Sequence, residues 1–238
     1  WEEAEDVSAD VLKVIERHTR EYLPFEVYAK SLQEYFRNYE QTAGDWERNH
    51  SRMYPILDQY QRDGYGALLK IGGKFGGAFL CDGVGLGKTF VGLMLIERLV
   101  KFERKKVLLI VPKSGREPVW ESALRTYLPE LFGVFSNLVV INHTDLQRGG
   151  EWVERLQRIK DQADVVVVDE AHHFRNPSTT KDTSRYWQLQ DLAKDKQVFM
   201  ITATSINTRL IDLQHLIEHL TQRDAGHLRE SLGIHSLS

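Results

Sequence analysis

Eight residues, D-G-V-G-L-G-K-T from Asp82 to Thr89, carry the types and spacing for holding a phosphate chain. Gly83, Gly85 and Gly87 leave the backbone free to turn successive N–H groups toward an anion. Lys88 supplies a mobile positive charge for β- and γ-phosphate oxygens, and the Thr89 hydroxyl is an oxygen ligand for magnesium. The strict phosphate-loop pattern wants glycine at its first position, where Asp82 stands. Downstream, the run D-V-V-V-V-D-E ends in two adjacent carboxylates. Asp169 is placed to hold magnesium opposite Thr89, and Glu170 to orient or deprotonate an attacking water. The carboxylate pair alone would read as an ordinary acidic strand end, whereas the glycine loop, set between a strand and a helix pattern, reads as a phosphate loop rather than an ordinary turn. Together they describe phosphoryl transfer from a nucleoside triphosphate, held with magnesium (Mg2+), to water.

These groups must be placed by a scaffold, and the hydropathy pattern supplies one. Short continuous apolar runs at 77–81, 106–111, 137–142, 164–169 and 197–202 alternate with helical patterns at 88–102, 116–128, 150–162, 183–194 and 208–222. Such alternation predicts an α/β fold, a parallel sheet with helices on both faces. Both phosphate-directed motifs then fall at strand carboxyl ends, where open α/β sheets bind ligands. A further helix is expected to end near Gly64, with G-G-K-F-G-G (72–77) as a flexible approach to the first strand. Residues 8–40 read as helical, with Ser8 as a cap, Val11, Ile15 and Tyr22 on one face, and an aromatic stripe from Phe25 to Tyr39 that suits a core. The polar stretch N-Y-E-Q-T-A-G-D-W-E-R-N-H-S marks a boundary. The expected division is an N-terminal helical segment (1–50), an ATP-binding lobe (51–225) and a tail (226–238).

Bulk composition narrows the class. A 42% hydrophobic content over 238 residues is enough for a sizeable core. With 31 basic against 34 acidic residues the net charge is −3, so any nucleic-acid surface has to be a local groove. The single cysteine, Cys81, excludes an internal disulfide and fits a reducing, cytoplasmic setting. No apolar run reaches the ~20 residues of a membrane helix. The chain begins at Trp1 rather than Met, as expected of a piece of something longer.

The loop "DGVGLGKT" resembles motif I of the superfamily II helicases, especially the Swi/Snf-like branch, where Asp commonly takes the first position. That branch usually has Glu next, and here it is Gly83. Asp169, Glu170, Ala171 and His172 match the D-E-A-H box. "TATSIN" resembles the branch's T-A-T-P-I-N, with Ser205 in place of proline, which loosens the turn. "LDQYQRDG" resembles the adenine-reading L-x-x-Y-Q-x-x-G and "LIVPKSGREPVW" resembles motif Ia; together the matches cover about residues 55–215.

The resemblance implies a first RecA-like lobe of a P-loop NTPase in which Gln61 reads adenine. It implies that Lys113, Ser114 and, more weakly, Thr144 contact nucleic-acid phosphates. His172, Thr202 and Thr204 would couple the nucleotide site to that surface. The implied activity is ATP hydrolysis driving movement along double-stranded DNA, completed by a second RecA-like lobe. A nucleotide-gated switch and an RNA-directed enzyme are the alternatives. The N-terminal segment faintly resembles the helical region beside a phospholipase D-like nuclease in some prokaryotic helicases, which implies a linked nuclease. Two further patterns take plain readings. H-L-I-E-H (215–219) has the spacing of a zinc site but no third ligand, and reads as a packing helix. K-F-E-R-K-K (101–106) reads as a solvated helix end.

Overall fold

The computed structural model describes residues 25, 44–83, 85–133, 136–177, 184–203 and 210–224. The helices expected over 8–40, Phe25 apart, and Thr204 lie outside them. Five strands form one wholly parallel sheet: β1 (Gly77–Leu80), β2 (Val107–Val111), β3 (Leu138–Asn142), β4 (Val165–Asp169) and β5 (Gln197–Ile201). Their order across the sheet is β1-β5-β4-β2-β3, so β5 lies between the strand leading to the glycine loop and the strand bearing the carboxylates. Each expected apolar run holds a strand, within a residue at either end. An interior parallel strand is covered on both faces and needs no polar alternation.

Alternate residues of each strand enter different cores. Leu109, Val111, Val165, Val167, Phe199 and Ile201 face one layer, and Leu108, Ile110, Val166, Val168, Val198 and Met200 the other. The first layer contains α2 (Gln59–Phe75), α3 (Lys88–Glu97) and α5 (Ser122–Tyr127), the last preceded by a single turn, α4 (Lys113–Gly115), and a π turn, Arg116–Glu121. The second contains α6 (Trp152–Gln162), α7 (Arg185–Leu192) and α8 (Leu210–Thr221). Helix α3 is buried from Val91 to Glu97, apolar on nearly every side, because sheet and neighbouring helices enclose it. Helix α6 is amphipathic, and Trp152, Leu156 and Ile159 form its inner stripe.

Helix α2 corrects the expectation of an end near Gly64. It runs on to Phe75 and stops at Gly76, which takes the left-handed conformation with φ 74°. The presumed flexible approach is therefore the last helical turn, its cap and the first residue of β1. Packing overrides glycine's poor helix propensity: a Cβ on Gly72 would come within 2.5 Å of the Phe199 ring.

Part of the polar stretch before residue 51 is also helical. Helix α1 (Asp45–Asn49) buries Glu47 against Arg98 and the Tyr65 hydroxyl. Just beyond it, the fully buried Glu97 accepts from Ser51 Oγ at 2.6 Å and from the Arg52 and Met53 N–H groups at 2.9 and 3.1 Å, while pairing with Lys101. The end of the loop-bearing helix α3 thus holds the segment that leads into α2. Lys101 also pairs with Glu130 and Lys105 with Glu103, so two cations of the cluster read as a solvated helix end are ion-paired, while Arg104 and Lys106 are exposed. Among the described residues, no helix is long and apolar enough to cross a membrane.

Candidate functional site

The glycine loop joins β1 to α3. Gly85 and Gly87 have φ of 83° and 70°, conformations in which a Cβ is strained, and Gly87 caps α3. Lys88 is the first residue of the helix and folds back across the loop. Its Nζ donates to the carbonyls of Asp82 and Gly83 at 2.9 and 2.8 Å. Burial pushes the Asp82 carboxyl above its ordinary pKa, and the Lys88 charge opposes that shift. Thr89 is the next helical residue, half-buried.

Gln61 reaches this loop from α2. Its Nε2 donates to Leu86 O at 3.2 Å, and its Oε1 accepts the Asp58 N–H at 3.0 Å in a capping box. Tyr60 donates its hydroxyl to the same Leu86 carbonyl at 3.1 Å. A Cβ at Gly87 would sit 2.4 Å from Gln61 Nε2, so the third loop glycine makes room for the amide. Here Gln61 both starts a helix and braces the loop.

Asp169 ends β4. Its Oδ2 accepts the Trp120 indole N–H at 2.7 Å, and its Oδ1 accepts the Glu170 N–H at 2.9 Å. Burial raises its pKa above the ordinary carboxylate value. The Trp120 bond pulls it down, the Glu170 charge pushes it up, and Lys88 is near enough to favour ionisation. Glu170 adopts a left-handed backbone, φ 50°, rare for a residue with a Cβ and of order 1–3 kcal/mol in cost. Its Oε2 lies 3.1 Å from His172 Nδ1, which is also 3.2 Å from Thr202 Oγ1. A carboxylate only accepts, so Nδ1 carries the proton. Thr202 in turn donates its N–H to Leu80 O at 3.0 Å, next to the glycine loop.

The structure therefore gathers Gln61, Gly83, Gly85, Gly87, Lys88, Thr89, Asp169, Glu170, His172 and Thr202 at the carboxyl end of the sheet. Lys113, Ser114 and Thr144 are exposed on the neighbouring loops after β2 and β3, where Val111 pairs with Asn142. The oxygen donors Thr89 and Asp169 suit magnesium: both Asp169 oxygens keep a lone pair beyond the N–H each accepts. Among the described residues no group of three His, Cys, Asp or Glu is set to hold a metal.

Two residues escape sequence reasoning, Trp120 and His143. His143 is buried, and burial pushes its pKa down to about 4. The ring is neutral and donates Nε2–H to the Asp169 carbonyl at 2.8 Å. Trp120 offered one signal: a buried indole needs an acceptor for its N–H. His143 offered none. The H-L-I-E-H histidines are accounted for by carbonyls: His215 Nδ1 bonds Arg175 O at 2.7 Å and His219 Nε2 bonds Phe174 O at 3.1 Å. They fasten the segment after the carboxylates to α8.

Three comparisons bear on this geometry. A protein-family model described as type III restriction enzyme, res subunit, matches residues 56–207, more than half of the chain. A Bacillus subtilis (strain 168) protein, "Uncharacterized ATP-dependent helicase YqhH", is 31% identical over 166 residues, which are 67% of this chain and 28% of that protein. The chain thus spans under a third of this relative's length. The solved structure "Sulfolobus solfataricus SWI2/SNF2 ATPase core in complex with dsDNA" is similar with a TM-score of 0.56 at 23% identity, covering 73% of this chain and 38% of that one. At that identity it shows the fold alone, a RecA-like one. The glycine loop, the paired carboxylates and the parallel sheet that joins them are accordingly those of a first RecA-like helicase lobe, and the chain belongs to the family described as the type III restriction enzyme res subunit, among the superfamily II helicases that its motifs resemble.

Proposed function

We propose that residues 51–225 form the first ATP-binding lobe of a DNA-dependent ATPase that hydrolyses ATP to move along duplex DNA, with a second RecA-like lobe completing the site. The observation that carries this reading is the pairing of Lys88, lying across the glycine loop, with Asp169 and Glu170 two strands away at the same carboxyl end of the sheet. The relative's description as an ATP-dependent helicase and the structural neighbour's complex with dsDNA support the nucleotide and the duplex.

The loop's N–H groups and the positive end of α3 hold the phosphate chain. Lys88 exchanges the Asp82 and Gly83 carbonyls for phosphate oxygens, trading neutral acceptors for charged ones. The Thr89 hydroxyl and Asp169 would hold magnesium, which when bound neutralises charge developing on the phosphate oxygens. Glu170 takes the proton of the attacking water on a carboxylate oxygen as the water oxygen bonds to the γ-phosphorus and the β–γ bridge bond breaks. His172 holds Glu170 in place and links it to Thr202, so the state of the carboxylate reaches the end of β5. Lys113, Ser114 and Thr144 form part of the DNA surface, with Thr204 a further coupling residue. Gln61, released from Leu86, has the donor and acceptor pair to read adenine.

The test is steady-state phosphate release by the full-length protein with duplex DNA, single-stranded DNA or RNA added. Stimulation by duplex DNA above the other two is expected. Strongest stimulation by RNA would redirect the enzyme to RNA. Nucleotide binding with no response to any nucleic acid would leave a nucleotide-gated switch.

A further inference from the structure

Asp169 is approached from both faces of the sheet by ring N–H groups, and each comes from a loop that carries a proposed nucleic-acid contact. Trp120 lies in the Arg116–Glu121 turn, just after Lys113 and Ser114. Its ring is fully buried in the core layer of α3, where Gly92 leaves room: a Cβ there would come within 2.7 Å of the indole. The indole N–H could have met a main-chain carbonyl, as most buried side-chain donors do. It meets Asp169 Oδ2 instead, at 2.7 Å. His143 immediately precedes Thr144. Its ring sits against Phe174 and His173, with centroids 4.8 and 5.4 Å away, in the opposite layer. It donates to the Asp169 carbonyl at 2.8 Å. The two loops also face one another, with Arg116 4.0 Å from the Asp145 carboxylate.

We propose that Trp120 and His143 are positioning residues that link the loops after β2 and β3 to Asp169, so that duplex DNA seated on those loops sets the placement of the magnesium-directed carboxylate. This rests on the reading of the site given above. Trp120 fixes the carboxylate rotamer, and His143 fixes the peptide from which Glu170 departs in its left-handed conformation. A shift of either loop on DNA moves one of the two restraints and leaves the other as a pivot. Nucleotide and DNA then bind with mutually dependent affinities, by an arrangement separate from the His172–Thr202 contact.

The experiment measures affinity for a fluorescent, non-hydrolysable ATP analogue with magnesium, using the full-length protein with and without a saturating short duplex. The parent is expected to show a change of about fivefold or more on adding DNA, the lower end of ordinary coupling. Trp120→Phe keeps an aromatic ring in place of the indole and loses the donor, and His143→Phe does the same for the imidazole. Each should compress the ratio to within about twofold. His143→Gln restores an N–H and should restore the ratio. Thermal unfolding confirms that each variant is folded. If Trp120→Phe fails to fold, the His143→Phe and His143→Gln pair decides. Full coupling in the folded phenylalanine variants would overturn the link, as would a parent that binds both ligands without coupling. In those cases the nucleotide site itself stands. A parent that binds no nucleotide would instead overturn the functional reading, and the link with it.

Discussion

At the glycine loop, Lys88 reaches back only five and six residues, to the carbonyls of Gly83 and Asp82. At the end of β4, Asp169 is held by Trp120, 49 residues away, and by His143, 26 residues away, while Glu170 leans on His172, which turns to Thr202 30 residues further on. The first arrangement is made mostly within one loop, with a brace from α2 through Gln61 and Tyr60 at the Leu86 carbonyl. The second exists only once four connections of the sheet have packed. On the proposed reading, local construction sets where phosphate would bind, and long-range construction sets how the two carboxylates are aimed.

The sharpest way to separate the two is to disable the carboxylate side and leave the loop intact. Glu170→Gln in the full-length protein keeps the shape and the His172 contact but cannot take a proton. Turnover should fall on the order of a hundredfold, the lower range for loss of a general base, with ATP affinity unchanged. Phosphate release within a factor of two of the parent would remove Glu170 from the role of base. Lys88→Ala tests the loop side. It deletes the charge that bridges Asp82 and Gly83, and ATP affinity should weaken at least about tenfold, or ~1.4 kcal/mol. Titration calorimetry giving equal affinities for both proteins would show that the loop holds phosphate through its N–H groups alone.

The long-range side should also be the acid-sensitive one. His143 and His219 are both buried, and burial pushes each pKa down to about 4 from 6.5. Between those values the unfolded chain binds protons that the folded chain refuses. Stability is therefore full above about pH 6.5 and falls as the pH drops toward 4. His219→Gln keeps a donor for the Phe174 carbonyl and removes one titrating group. Urea denaturation across this window should show the slope reduced by about 1 kcal/mol per pH unit. A variant with the parent's slope would mean that His219 is protonated in the folded chain.

The same contrast governs what could be read from sequence. The five strands were legible because a parallel strand covered on both faces is a continuous apolar run, as in Val165–Val168, and the loop because its geometry is written in consecutive residues. Asp169 and Glu170 were legible through their spacing from the loop. Their supports were not. Nothing adjacent to His143 announces a bond to a carbonyl across the sheet, and Gly92 is an unremarked helical glycine until Trp120 lies over it. Helix α2 ran past its expected end for the same reason, since Gly64, Gly66, Gly72 and Gly73 argue locally for a break.

Two neighbours in α2 give the smallest and most discriminating measurement. Gly72 is buried and Gly73 exposed, and by helix propensity alone both would prefer alanine. A Cβ at Gly72 meets Phe199 of β5, a core ring with nowhere to retreat, so Gly72→Ala should destabilise. A Cβ at Gly73 meets nothing within 4 Å, and its backbone is already helical. Gly73→Ala should stabilise the chain by about 0.5–1 kcal/mol, because it restricts the unfolded chain without disturbing a folded contact. The measurement is a urea midpoint for each variant at neutral pH. Opposite signs are expected one residue apart. A destabilising Gly73→Ala would show that the last turn of α2 needs glycine for a local reason.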